Sequence, residues 1–116
     1  MKLPNAAAAH VDREKVTDYL LSETHPIGRD KARFFIRLGF SRDRPEELLA
    51  ALLAIGRSED VVDQMGTAFG TRYVVDGPVR GSRGEAVVRT VWFLERDAVA
   101  PRLVTAYPAP EEETTA

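Results

Sequence analysis

The sequence predicts an α+β fold in which three N-terminal helices pack on a C-terminal antiparallel sheet of three strands, or of four. Three observations carry this. Leucine and phenylalanine recur at helical spacing as far as Ile55; Val, Thr, Trp and Phe concentrate after Gly70; and turn residues such as Gly81-Ser82-Arg83-Gly84 divide that second half into short runs. With 116 residues the chain can bury one modest core, so a single domain over 1–116 is expected.

Residues 1–10 read as an arm, with a turn at Leu3-Pro4-Asn5 followed by four alanines whose state the pattern leaves open. The helical part spans 11–56. Asp12 is a good N-cap, and Val16, Tyr19 and Leu20 form an apolar stripe, which predicts a first helix of roughly ten residues ending near Ser22. His25 precedes Pro26 and is pushed out of helical geometry, so 24–28 is a connector. A second helix runs from Arg29 to Leu38 with Gly39 as its C′ residue; Phe34, Phe35 and Leu38 supply the buried face and Arg29, Arg33 and Arg37 a cationic row. Pro45 is a natural first helical position, and Glu46 and Glu47 suit the positive end of the third helix. Leu48, Leu49, Leu52, Leu53 and Ile55 fill that helix before Gly56 closes it.

Residues 57–70 are expected as a connector, because Gly66 and Gly70 punctuate them. The antiparallel meander occupies 71–107. Thr71 to Asp76 forms a strand that Gly77-Pro78 interrupts, Glu85 to Glu95 forms the longest strand, and Arg102 to Tyr107 the last. Residues 108–116, ending in acids, read as a flexible tail.

Composition excludes several function classes. The chain has no cysteine, which removes disulfides, thiolate chemistry and Cys-ligated zinc together and suits a reducing cytoplasm. Its two histidines, His10 and His25, are too far apart in sequence to support a zinc motif, so no metal and no cofactor is expected. No apolar run is long enough for a membrane span, and neither a membrane partner nor a secretory signal is predicted. The net charge of −2 hides an uneven distribution: from Arg29 to Arg44, six cations face two anions. Such a cluster is either a nucleic-acid footprint or a solvated, salt-bridged helix face.

Candidate chemistry gathers around His25-Pro26-Ile27-Gly28-Arg29-Asp30-Lys31, where one imidazole stands next to several cations at a helix start. Imidazole titrates near neutral pH and can exchange protons there. His25 also has a plain reading, as a residue that hydrogen-bonds its own turn. Arg89 is the anomaly of the longest strand, being either paired with an acid or held as a fixed positive charge for a ligand. Thr105 and Tyr107 share one side of the last strand and can donate to a phosphate oxygen. A His25 bonded to backbone, or an Arg89 paired with Asp76 or Glu85, would favour a structural role.

Read in order, Leu3-Pro4-Asn5-Ala6, Tyr19-Leu20-Leu21, His25 to Ala32, Tyr73 to Asp76, Val88 to Trp92 and Pro101 to Pro108 resemble the blocks of an uncharacterised bacterial family, domain-of-unknown-function family 6883. The layout also resembles, at the level of fold, the bacterial ribonuclease toxins that include barnase, RelE and colicin D. That second resemblance implies RNA as substrate and metal-independent cleavage by 2′-OH attack, leaving a 2′,3′-cyclic phosphate. It implies a catalytic set of His25, Lys31, Arg89, Thr105 and Tyr107, with Arg29 and Arg33 binding phosphate, and a cognate antitoxin or immunity protein as partner. Two departures accompany it: no barnase-like carboxylate base is evident, and the chain is acidic where the group is basic. The alternative is a non-catalytic partner-binding module of the same fold, an antitoxin, immunity or assembly component. The sequence specifies no oligomeric state.

Overall fold

A computed structural model of the chain describes residues 1–26 and 28–110. The acidic end 111–116 and Ile27 of the connector lie outside the described residues. The order is three helices, then four strands, and the strands form one antiparallel sheet in the order β1-β2-β3-β4. This is the predicted α+β class, with the fourth strand present.

Helix α1 begins as α-helix over Arg13–Lys15 and continues as a π-helical turn over Val16–Leu20. Asp12 precedes it but makes no side-chain cap hydrogen bond. Helix α2 spans Arg29–Arg37, and Gly39, at φ +106°, ends it in the left-handed geometry expected of a C′ residue. Helix α3 spans Pro45–Ser58 with Pro45 in its first turn. It therefore runs past Gly56, which was expected to close it. Gly56 has a packing role instead: a Cβ there would come within 2.4 Å of the Trp92 ring.

The expected connector 57–70 is corrected. After α3 ends, Val61–Thr67 forms β1, which pairs with β2, Gly70–Gly81. Nearly every β1 residue is exposed, so burial imposes no apolar alternation on it and the strand signal is weak. Gly77-Pro78 does not interrupt β2 either. Gly77 stays in register opposite Val88, and a Cβ there would meet Ile55 of α3 at 3.0 Å, so the glycine lets the helix settle on the sheet. β3 spans Gly84–Glu95 and β4 Arg102–Pro108.

The two faces of the sheet differ. Tyr73, Val75 and Val79 of β2 lie beside Val88, Thr90 and Trp92 of β3 and Leu103 and Ala106 of β4, and all of them are buried. Phe35, Leu48, Leu52 and Ile55 complete this core from the helices. Its polar atoms are satisfied: the Trp92 indole donates to Thr90 Oγ1 at 2.7 Å, and that hydroxyl donates to the Val75 carbonyl at 2.6 Å. The opposite face carries Asp76, Arg89 and Tyr107 in one cross-strand row, with Val91 opposite Thr105 in the next.

The arm is anchored to the rest of the fold. Ala6–Ala8 forms a short 3₁₀ turn, Leu3, Ala9 and Val11 are buried, and isolated bridges join Lys2 to Asp60 and His10 to Arg102. No helix among the described residues is long and apolar enough to cross a membrane.

Candidate functional site

Tyr19, which the sequence places only in the apolar stripe of the first helix, joins the helical part to the sheet. Its hydroxyl accepts a hydrogen bond from Lys31 Nζ at 2.8 Å and another from Thr105 Oγ1 at 3.4 Å. The His25 ring meets the Tyr19 ring edge-on, with centroids 5.0 Å apart. Three of the predicted site residues, His25, Lys31 and Thr105, therefore contact one phenol. Two residues along β4, Tyr107 projects on the same side as Thr105 and stands opposite Arg89. A contiguous strip results, running His25–Tyr19–Lys31–Thr105–Tyr107–Arg89.

Two positions take the plainer reading in part. The backbone N–H of Gly28 donates to His25 Nδ1 at 3.0 Å, closing the connector turn. In the neutral ring that bond leaves the hydrogen on Nε2, so the imidazole is set up as a donor rather than as a base. Arg89 is paired with Asp76 through two bonds, Nε to Oδ1 and Nη2 to Oδ2, both 2.9 Å, with side chains 29% and 22% exposed. The Asp76 hydrogen bond, its charge, and Tyr107 together hold the guanidinium more firmly protonated than usual, outweighing burial. The bidentate pair fixes the plane of the guanidinium on the sheet face opposite the core.

The predicted phosphate ligands stand apart. Arg29 and Arg33 are exposed on α2 and Arg33 lies 3.8 Å from Asp30; the Arg29 backbone N–H donates to the His25 carbonyl at 3.0 Å, but among the described residues neither guanidinium is hydrogen-bonded to the Tyr19 strip. Beside Asp76 a half-open slot of about 470 Å³ is walled by Phe34, Val87, Pro108 and Pro110. A second cavity, of about 580 Å³, lies between the 21–24 segment, the 39–44 loop and the β2–β3 turn, lined by Arg42, Arg44, Arg83 and serine hydroxyls. Among the described residues no three His, Asp or Glu side chains come together as a metal-ligand set.

Tyr19 is the functional candidate that sequence reasoning missed. Burial pushes its phenol up, but hydrogen bonds from Lys31 and Thr105 and the charges of Lys31 and Lys15 more than offset this, so its pKa is lowered. Its ring lies 5.1 Å from Lys31 Nζ and 5.3 Å from Lys15 Nζ. No local motif signals this convergence, because Lys31 and Thr105 are 12 and 86 residues away.

Comparison with known proteins gives one family and a related fold. The profile of a family described as Domain of unknown function (DUF6883) matches residues 2–110. Among solved structures, a chain of a contact-dependent growth inhibition toxin–immunity protein complex from Klebsiella pneumoniae 342 superposes with a TM-score of 0.70 at 20% identity. The match covers 92% of this chain and 98% of that one, a likeness of fold. No curated protein matches the sequence significantly.

Proposed function

The chain belongs to the DUF6883 family, and from its site and its likeness of fold to a chain of a toxin–immunity complex we propose that it is a toxin-type module that cleaves RNA without a metal. One observation carries the reading: His25, Lys31, Thr105, Tyr107 and Arg89 lie along one strip where the helices meet the β4 end of the sheet, on the face opposite the core. A phosphodiester laid on that strip would meet an imidazole N–H, an ammonium, two hydroxyls and a guanidinium. These are the donors that stabilise a pentacovalent phosphate as negative charge builds on its oxygens. The slot beside Asp76, with its Phe34, Val87 and Pro108 walls, suits a flat nucleobase next to the phosphate. Arg29 and Arg33 on the adjacent helix would take flanking phosphates.

The reaction is attack of the 2′-OH on the adjacent phosphorus with loss of the 5′-oxygen, leaving a 2′,3′-cyclic phosphate. The likeness of fold to a chain from a toxin–immunity complex supports a cognate immunity or antitoxin protein as partner. A second reading, a non-catalytic immunity-type module, is favoured by the Arg89–Asp76 pair, because a guanidinium already neutralised by a carboxylate has less charge to offer phosphate.

The test is cleavage of total RNA and tRNA in EDTA by purified protein, beside His25→Ala. The expected result is wild-type cleavage with cyclic-phosphate ends and a loss of roughly 10²–10³-fold in the variant, the scale for removing one transition-state donor. Equal activity in both proteins would take His25 out of the site. An inert wild type would leave the immunity-type module standing.

A further inference from the structure

The local construction around Tyr19 is more elaborate than a tyrosine at the margin of a core requires. The Leu21 N–H bonds the Val16 carbonyl at 2.8 Å, five residues back, so this turn holds one residue more than an α-helical turn. Such π turns are rare and concentrate at functional sites. Here the wider turn brings Val16, Leu20 and Leu21 all into the core and leaves Tyr19 at its edge, facing Lys31 and Thr105. The connector is shaped to the same residue. A Cβ on Gly28 would come within 2.3 Å of the Tyr19 carbonyl oxygen, so only glycine lets the chain fold back over it, and the same turn brings His25 onto the ring.

Two ammonium groups flank this one phenol, and Lys31 points its N–H directly at the oxygen. Thr105 alone would give the phenol oxygen a donor with no charge beside it. The second cation makes sense where negative charge appears on the oxygen during a reaction, because a charge already in place costs no reorganisation when the phenolate forms. His25, with Nδ1 bonded to Gly28, has no lone pair to offer there without releasing that turn.

We propose that Tyr19 is a catalytic residue, the general acid that protonates the leaving 5′-oxygen, with Lys31 stabilising the phenolate; this rests on the ribonuclease reading. In balance, the 2′-oxygen forms a bond to phosphorus as its proton passes to solvent hydroxide. The P–O5′ bond breaks, its electron pair stays on O5′, and O5′ takes the proton of Tyr19 Oη. Water then reprotonates the phenolate, regenerating the hydroxide. His25 supplies an N–H to a non-bridging oxygen, and its edge-on contact orients the phenol.

The decisive experiment compares wild type and Tyr19→Phe on an RNA oligonucleotide and on the same oligonucleotide with sulfur in place of the bridging 5′-oxygen. A thiolate leaves without needing a proton. Tyr19→Phe is expected to lose about 10²–10³-fold on the oxygen substrate, the usual scale of acid–base catalysis, and little on the sulfur one. That rescue also shows that the variant is folded. The pH–rate profile supplies a second readout. The acid must be protonated, so the wild-type profile bends downward where Tyr19 ionises, below the ordinary phenol value of 10.0. The bend is absent in Tyr19→Phe and moves to higher pH in Lys31→Met. Equal loss on both substrates, or no loss on either, overturns the role of Tyr19 while leaving the ribonuclease reading intact. A wild type that cleaves neither substrate overturns that reading and this role with it.

Discussion

At the residue scale, the site consists of groups whose plain and functional roles overlap. Arg89 is half of a cross-strand pair with Asp76, and the two bonds occupy the Nε–Nη2 edge of the guanidinium. Anomalous placement in an apolar strand was legible in the sequence, and both explanations for it were open. The structure supplies the pairing, and the register that sets Asp76, Arg89 and Tyr107 side by side supplies the route to the site. A double-mutant cycle with Arg89→Met and Asp76→Asn is expected to give a coupling energy of about 0.5–3 kcal/mol in denaturant unfolding, as for partners in one ion-pair network. Zero coupling would mean that solvent screens the pair and that the ion pair itself adds nothing to stability. His25 was singled out for its imidazole beside a cationic run, whereas Tyr19 gave no such signal. An aromatic at helical spacing reads as core, and its partners are distant in sequence.

At the element scale, glycines decide how the helices sit on the sheet. Gly56 was read as a helix terminator, which follows from propensity alone. In the fold it lies within α3 against the buried Trp92, and Gly77 plays the matching part on β2 under Ile55. Gly56→Ala is expected to lower stability by about 1–3 kcal/mol through overpacking, despite the better helix propensity of alanine. Gly66→Ala serves as the control, since nothing lies within 4 Å of that position, and should stay within about 0.5 kcal/mol of wild type. Comparable midpoints for both variants in chemical denaturation would mean that the Trp92 ring shifts at no cost. β1 escaped the sequence reading for the opposite reason. It is exposed, with Val62 and Met65 open to solvent at 54% and 56%, so no buried face imposes a period on it.

At the scale of the whole molecule, the helices cover one face of the sheet and leave the other to carry the candidate site. Helix α2 and the π turn, at the β4 end, bring helical side chains to that second face. If the chain is a toxin, its expression without a partner should arrest bacterial growth and leave cyclic-phosphate RNA ends, and Lys31→Ala should abolish both. Harmless expression, with protection against a toxin encoded alongside it, would identify an immunity-type module. The sequence by itself determined the order of helices and strands, the antiparallel meander and the cationic, histidine-bearing connector, because periodicity, turn chemistry and charge are local properties of the chain. Only the tertiary structure decided that β1 pairs with β2, that Arg89 meets Asp76, and that Tyr19 gathers His25, Lys31 and Thr105. Each of these depends on register and close approach between residues that no local pattern connects.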